Sequence, residues 1–161
     1  MINKDKIVIR DNVLDPDQCS HLIEIFEREN AVSKPNSKVL SIQKHPYLDI
    51  ITGHSTTNFK TADYWAQIVK RSKGQYQKLH TDEASETTLL TSVTFLNDNF
   101  EGGELAFNDL FVKPKAGRQV MFDGQYYPHA VMEIINGDRY TVNCWYDTHK
   151  PKQNFTLRTN D

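Results

Sequence analysis

The second half of the chain is a succession of short strand-forming segments that no helix-length segment separates. From Gly74 onward, segments rich in β-branched and aromatic residues alternate with turns that contain Gly, Pro, Asn or Asp. The segments are TTLLTSVTFLN, ELAFN, LFVKP, RQVMF, HAVMEII and RYTVNCWYD. Regular short strands without intervening helices predict a β-sandwich or a β-barrel. The Asn136-Gly137 pair between the last two segments predicts a tight hairpin.

The first half contains one short strand and one helix with clear boundary signals. Lys6–Arg10 has the pattern of a strand. Asp15 can cap a helix, Pro16 suits its first position, and Gln18 completes a capping box. Four apolar residues follow at the spacing of one buried helix face, and they are Cys19, Leu22, Ile23 and Phe26. This segment is therefore predicted to be a helix that packs on the strands.

The length of the chain predicts a single domain. With 161 residues, the chain can bury one core and is too short for two ordinary domains. We therefore expect one domain over residues 1–161, with residues 147–161 as a polar tail that is either disordered or packed along the domain edge.

Charge and hydropathy argue against several classes of partner. The net charge of −2 gives no reason to expect binding to nucleic acid or to an anionic membrane. No apolar segment approaches the roughly 20 residues that span a bilayer, and the first residues lack the apolar centre of a signal peptide. Cys19 and Cys144 have no metal-site spacing and are predicted to be buried free thiols. These features predict a cytoplasmic protein, and they leave its oligomeric state open.

His80, Asp82 and His129 have the side chains that hold a ferrous ion in many enzymes. His80 and Asp82 are two residues apart, so on a strand both side chains point to the same face. Two imidazoles and one carboxylate form a facial triad, which binds Fe(II) and leaves coordination positions open. Each residue also has an ordinary alternative, because the pair fits a surface turn and His129 fits a hydrogen-bonded strand end.

Arg139 follows His129 and is suited to binding a carboxylate. Its planar guanidinium can donate two parallel hydrogen bonds, although it could also be a solvated charge beside Asp138. The order of the motifs favours a functional site. A His-x-Asp pair, a Gly-Gly turn, a Pro-x-x-Gly turn, a histidine and an arginine are unlikely to occur in this order by chance.

From Lys6 to Tyr146, the chain resembles the iron- and 2-oxoglutarate-dependent dioxygenases, most closely the prolyl 4-hydroxylase branch. The resemblance is carried by VIRDNVLDPDQCSHLIEIF, GQYQKLHTD, TSVTFLNDNFEGGELAFNDLFVKPKAGRQVMFDGQYYPHAV and NGDRYTVNCWY. It implies a mainly β fold with flanking helices, namely a double-stranded β-helix of the jelly-roll or cupin-like barrel type. It also favours a strand for Asp63–Arg71, whose periodicity alone fits either a strand or a helix.

The resemblance also implies an activity and its cofactors. It implies a dioxygenase that uses Fe(II), 2-oxoglutarate, O2 and ascorbate and hydroxylates an unactivated C–H bond. The first expected target is a prolyl residue in a protein or peptide, with succinate and CO2 as co-products. His80, Asp82 and His129 would hold the iron, and Arg139 would bind the far carboxylate of 2-oxoglutarate.

Three further residues are candidates for co-substrate contacts. Thr91 and Asn143 could donate hydrogen bonds to 2-oxoglutarate, and Trp145 could form a wall of its pocket. All three fit ordinary interior positions equally well. Residues 33–57 and the polar loop 82–88 are candidates for substrate contact, the loop as a lid or as a solvated connection.

Three positions depart from the family pattern. Members often have a tyrosine where this chain has Arg71, a tyrosine where it has Phe95, and a proline where it has Leu79. The residues that line the substrate side therefore need not follow the family. Alternatives to a peptide substrate are free proline or another amino acid, and the alternative to an enzyme is a non-catalytic metal-binding β-barrel. A nucleic-acid demethylase is disfavoured because the net charge of the chain is −2 and its composition gives no sign of a basic surface.

Overall fold

A computed structural model describes residues 6–42, 45–55, 64–82 and 87–151. These ranges contain two helices, α1 (Pro16–Arg28) and α2 (Pro46–Ser55). The strands are β1 (Val8–Arg10), β2 (Val32–Lys34), β3 (Ser37–Ile42), β4 (Tyr64–Ser72), β5 (Gln77–His80), β6 (Thr87–Phe95), β7 (Glu101–Gly102), β8 (Leu105–Ala106), β9 (Phe111–Val112), β10 (Gln119–Asp123), β11 (His129–Val131), β12 (Ile134–Asn136) and β13 (Asp138–Pro151).

The strands form two main antiparallel sheets. The large sheet has the order β1-β10-β6-β13-β4-β3-β2, and the small sheet has the order β5-β11-β8-β9. A separate two-stranded sheet pairs β12 with β7. The mainly β class with flanking helices is therefore confirmed. The prediction of a barrel needs correction, because the described strands of the two main sheets do not pair with each other and the sheets are not closed.

The large sheet separates two apolar cores. Alternate side chains of a strand point to opposite faces of its sheet, and β13 obeys this rule. Its residues Tyr140, Val142, Cys144 and Tyr146 lie in one core with residues of α1 and α2, which include Leu22, Phe26, Leu48 and Ile51. Side chains on the other face meet the small sheet in a second core, which includes Phe95, Leu105, Phe107, Val120 and Phe122. The site described below lies on this second face.

Helix α1 has the boundaries and the buried face that its sequence predicts. The Asp15 carboxylate accepts a hydrogen bond from the backbone N of Gln18 at 2.8 Å. The Gln18 side chain in turn accepts one from the backbone N of Asp15 at 2.9 Å. Both halves of the predicted capping box are therefore present. Cys19, Leu22 and Phe26 are buried, so this face attaches the helix to the large sheet.

The Asn136-Gly137 pair does not form the predicted hairpin. The strand before it, β12, pairs with β7, whereas β13 pairs with β4 and β6. Gly137 has a φ of 84°, and a Cβ added there would lie 3.0 Å from the Cβ of Phe100. A positive φ is typical of a hairpin turn, but in this chain the turn at Gly137 connects strands of two different sheets.

Other predictions have clear outcomes in the fold. The segment Asp63–Arg71 was predicted to be a strand. Its residues from position 64 onward are described and form most of strand β4, so this prediction is confirmed. Both cysteines are buried free thiols, as predicted. Strand β13 continues to Pro151, and residues 152–161 of the predicted tail lie outside the described residues. No helix in the described ranges is long and apolar enough to cross a membrane.

The capping box predicts a measurable contribution of Asp15 to stability. Replacing Asp15 with Ala removes the acceptor for the Gln18 backbone N–H and should lower the free energy of unfolding by about 1 kcal/mol. Urea denaturation followed by circular dichroism measures this change. Glu24→Ala, at an exposed position of the same helix, is the matched control and should change stability by less than about 0.5 kcal/mol. Equal effects of the two substitutions would contradict the role of the cap.

Candidate active site

The pairing of β5 with β11 brings His80, Asp82 and His129 together. His80 and His129 are cross-strand partners, and their ring centroids lie 4.3 Å apart. Asp82 follows β5 closely, and its Oδ1 lies 3.5 Å from Nε2 of His80 and 3.3 Å from Nε2 of His129. One potential ligand atom from each residue lies within 4.8 Å of the others. The two motifs that are separated in sequence therefore form one cluster.

Backbone carbonyls fix the orientation of both imidazole rings. Nδ1 of His80 lies 2.7 Å from the carbonyl O of Lys78, and Nδ1 of His129 lies 2.8 Å from that of Tyr127. A carbonyl oxygen only accepts hydrogen bonds, so Nδ1 must carry the hydrogen in each ring. The Nε2 atoms then face the carboxylate of Asp82. Metal-binding histidines are commonly oriented by a carbonyl in this way.

The convergence of these electron-rich atoms favours a positive charge between them. Burial acts to lower the pKa of His80, but hydrogen bonds with the Asp82 side chain and the Lys78 carbonyl raise it above its ordinary value. Burial acts to raise the pKa of Asp82, but hydrogen bonds with the side chains of His129 and His80 hold it well below the usual range. Two imidazoles and one carboxylate in this arrangement fit a divalent metal ion such as Fe(II).

Thr91 and Trp145 orient the Asp82 carboxylate. The Thr91 hydroxyl donates a short hydrogen bond to Oδ2 of Asp82, and Nε1 of Trp145 donates another at 3.3 Å. Oδ1 is thereby left to face the histidines. Thr91 and Trp145 were candidates for co-substrate contacts, and the structure places both side chains against Asp82. The Asn143 side chain accepts a hydrogen bond from the Thr141 hydroxyl at 2.9 Å, and its contact with a co-substrate stays a prediction.

Gly124 binds the backbone of Asp82 and lies against its carboxylate. Its carbonyl accepts a hydrogen bond from the backbone N of Asp82 at 2.8 Å. A Cβ added to Gly124 would lie 2.1 Å from Oδ2 of Asp82 and 2.3 Å from Oγ1 of Thr91. A side chain therefore has no room at this position. The role of Gly124 cannot be predicted from the sequence, because a glycine in a loop indicates a turn and gives no sign that a distant carboxylate lies against it.

Arg139 is a buried cation with an unsatisfied nitrogen. Its side chain is 1% exposed, and its Nε donates to the carbonyl O of Gly103 at 2.9 Å. Its guanidinium carbon lies 5.1 Å from the centre of the Phe95 ring. Nη2 has no hydrogen-bond partner among the described residues. Burial, aided by the nearby charge of Arg71, lowers the pKa of Arg139 to about 9. Such a group is suited to receiving an anion.

One cavity of about 240 Å³ connects the metal-type cluster to Arg139. It lies between the two main sheets, and Thr91, Asn143 and Trp145 also line it. Arg71, a departure from the family pattern, lines the same cavity and is only 6% exposed. The sequence marks Arg71 as a departure from the family pattern. Its position in the cavity cannot be predicted from the sequence, because it depends on the long-range pairing of β4 with β13.

A comparison with known families agrees with this geometry. Residues 65–147 match the model of the 2OG-Fe(II) oxygenase superfamily. The chain belongs to this superfamily. The matched residues include both histidines and the aspartate of the cluster, together with Arg139. The family resemblance predicted from the sequence is therefore confirmed.

Relatives of this chain include several prolyl hydroxylases. Human prolyl 3-hydroxylase 2 is 34% identical over 64 residues, which cover 35% of this chain and 9% of the relative. The chain thus matches only a small part of that longer protein.

Two solved structures share the fold. A viral collagen prolyl hydroxylase from Paramecium bursaria Chlorella virus-1, in complex with 2-oxoglutarate, has a TM-score of 0.75 at 20% identity. The alignment covers 90% of this chain and 97% of that one. A Trichoplax adhaerens prolyl hydroxylase, in complex with a hypoxia inducible factor peptide, has a TM-score of 0.68 at 17% identity, with 91% and 85% covered. These similarities confirm the double-stranded β-helix fold.

The contact between Gly124 and Asp82 predicts that a methyl group at position 124 disrupts metal binding. In Gly124→Ala, the new Cβ displaces the Asp82 carboxylate, and metal affinity should fall about 10- to 100-fold. Titration with Co(II), followed by its visible absorption, measures this loss. Gly74→Ala is the control, because a Cβ at Gly74 meets nothing within 4 Å. Unchanged metal affinity in Gly124→Ala would contradict the assignment of Asp82 as a ligand.

The packing of Gly103 predicts a separate effect on 2-oxoglutarate. Gly103 has a φ of 70°, and an added Cβ would lie 2.9 Å from Cδ of Arg139. Gly103→Ala should therefore weaken 2-oxoglutarate binding at least about tenfold and leave metal affinity largely intact. Calorimetric titration of the Mn(II)-loaded protein tests this. Gly74→Ala, with a φ of 84°, has the same backbone strain without the clash, so its 2-oxoglutarate affinity should be unchanged. Equal losses in both variants would argue against Arg139 as the anchor.

Proposed function

We propose that this protein is an Fe(II)- and 2-oxoglutarate-dependent oxygenase that hydroxylates an unactivated C–H bond, with a prolyl residue of a protein or peptide as the first candidate. One observation carries the proposal. The His80–Asp82–His129 cluster and Arg139, whose Nη2 has no partner among the described residues, line the same cavity. Membership of the superfamily supports the same conclusion.

Each residue of the cluster has a defined task in this proposal. His80, Asp82 and His129 hold Fe(II) through two imidazole nitrogens and one carboxylate oxygen. Bound Fe(II) would supply the activation of O2, which is coupled to the conversion of 2-oxoglutarate to succinate and CO2. Lys78 and Tyr127 fix the imidazole rings through their carbonyls, so the metal seat is preorganised before the ion binds.

Arg139 provides the second anchor of the co-substrate. Its buried guanidinium can donate two hydrogen bonds to the far carboxylate of 2-oxoglutarate. Because Arg139 is buried and its guanidinium lies against the Phe95 ring, water would compete little for this ion pair. Arg139 would thereby hold one end of the keto acid, and the other end would lie in the cavity that the metal ligands also line.

The prolyl substrate is supported by the names of the relatives. The matched relatives include a prolyl 3-hydroxylase and a viral collagen prolyl hydroxylase. The Trichoplax neighbour binds a peptide, which supports a peptide substrate here. Hydroxylation of free proline or another amino acid is the second candidate, and the buried Arg71 in the cavity wall favours it. A non-catalytic metal-binding protein is disfavoured, because the ligands and Arg139 are all present.

Several finer points stay predictions. These are the use of ascorbate, the cytoplasmic location, the single domain over residues 1–161 and the absence of a nucleic-acid or membrane partner. Parts of the predicted substrate segments 33–57 and 82–88 lie outside the described residues.

The proposal predicts turnover of 2-oxoglutarate that depends on the cluster and on Arg139. Succinate formation under air, with Fe(II) and ascorbate, should fall at least about 100-fold in His129→Ala and in Arg139→Ala, because each removes one anchor. Lys73→Gln, an exposed position in the turn after β4, is the control. A panel of proline-containing peptides and free proline should include a compound that stimulates wild-type turnover. Absence of turnover, together with absence of Fe(II)-dependent 2-oxoglutarate binding, would refute the proposal that the protein is an enzyme.

A further inference from the structure

Arg71 is a second buried arginine on the wall that carries Arg139. The two residues are direct cross-strand partners in the β4–β13 pairing, so their side chains project from the same face of the large sheet. Both line the cavity. Arg71 is 6% exposed, and its charge influences both His80 and Arg139. Two like charges at paired positions repel each other, which makes the arrangement costly unless anions neutralise it.

Neutral groups supply the hydrogen bonds of Arg71. Nη1 donates to the carbonyl O of Asn36 at 2.7 Å, and Nη2 donates to Oε1 of Gln77 at 3.1 Å. Nε is buried and has no partner within the described part of the chain. In those same ranges, no carboxylate forms an ion pair with Arg71, and burial lowers its pKa to about 10. Among the described residues, this cation therefore has no carboxylate as a counter-ion.

The charges around the cavity exceed what the co-substrate can neutralise. Lys34, Arg71 and Arg139 line it as cations, whereas Asp82 is the only carboxylate among its described lining residues. 2-Oxoglutarate carries two carboxylates, of which one is needed at the metal and one at Arg139. Asp82 is engaged by the histidines. Among the described lining residues, Arg71 and the exposed Lys34 thus have no carboxylate left to neutralise them after the metal and the co-substrate bind.

The hydrogen-bond partners of Arg71 and of Arg139 belong to different parts of the fold. The carbonyl that accepts from Arg71 belongs to Asn36, in the turn between β2 and β3. Lys34 lies at the end of β2 in the same hairpin. Arg71 is therefore held between the β2–β3 hairpin and Gln77 of β5, whereas Nε of Arg139 is held by the carbonyl of Gly103.

We propose that Arg71, assisted by Lys34, binds a carboxylate of the substrate itself, so that this oxygenase acts on a free amino acid or on the C-terminal residue of a peptide. This inference rests on the proposed function and narrows its substrate class. An internal residue of a peptide presents a neutral amide at the same place and leaves Arg71 without an anion. The tyrosine that family members often have here could donate only one neutral hydrogen bond, whereas a guanidinium recognises a carboxylate by charge and by shape.

Matched acid and amide probes test this inference directly. The probes are L-proline and L-prolinamide, N-acetyl-L-proline and its amide, and the N-acetyl acid and amide pairs of leucine and phenylalanine. Binding to the Mn(II)- and 2-oxoglutarate-loaded protein is measured by calorimetry. We expect at least one acid to bind about tenfold or more tightly than its amide. A short peptide that ends in proline, as acid or amide, separates a C-terminal residue from a free amino acid.

Three variants assign the preference to Arg71. In Arg71→Gln, the ratio of acid to amide affinity should fall to near one. Arg71→Lys keeps the charge and should keep part of the ratio, although the paired hydrogen bonds are lost. Lys73→Gln removes an exposed cation from the turn next to β4 and should leave the ratio as in the wild type. Thermal melts of all three variants show whether each is folded.

Several results would overturn the inference. It fails if acids and amides bind alike, if no probe binds, or if a peptide with an internal proline binds best. It also fails if Arg71→Gln weakens the binding of 2-oxoglutarate as strongly as Arg139→Gln does, because Arg71 then binds the co-substrate. Metal-dependent 2-oxoglutarate binding is measured first in the same titrations. Its absence refutes the proposed function, whereas its presence without a preference for acids refutes only the role of Arg71.

Discussion

The register of β13 between β4 and β6 is the constraint on which the rest of the structure depends. The even-numbered side chains from Tyr140 to Tyr146 enter the helix-covered core, whereas Arg139, Asn143 and Trp145 line the cavity. A slip of one residue would exchange the two sets, placing Arg139 among apolar side chains and Val142 in the cavity. The apolar packing of α1 on the sheet therefore fixes the position of Arg139 in the cavity as well as the fold.

The chemistry of the site follows from a concentration of positive charge in an enclosed space. The structure holds two buried arginines with no described carboxylate as a partner. Such an arrangement lowers the stability of the empty protein and favours anions when they bind. In the proposed function, the free energy of unfolding that is lost at Arg71 and Arg139 would be offset by the binding of carboxylates in the cavity.

Sequence reasoning was most successful where the signal is local or where the order of motifs is unusual. The capping box of α1 and the strand segments after Gly74 depend on neighbouring residues, and the cluster with Arg139 depends on a rare order of residue types. The hairpin at Asn136-Gly137 was wrong because a local turn signal contains no information about which strand lies alongside. Gly124 and the place of Arg71 in the cavity were out of reach for the same reason, since both arise from contacts between distant segments.

The position of His80 has a consequence for the apo protein. Strand β5 is an edge of the small sheet, and its last residue is one of the three groups that face the metal position. A metal ion held by His80 and His129 would fasten this edge strand to β11, in addition to the backbone hydrogen bonds between them. Without the ion, this end of β5 is held by the hydrogen bond from the backbone N of Asp82 to Gly124 and by the contacts of Thr91 and Trp145 with the Asp82 carboxylate. If the proposed function is correct, bound iron would add to these contacts, so that loss of iron would lower the resistance of this edge strand to proteolysis.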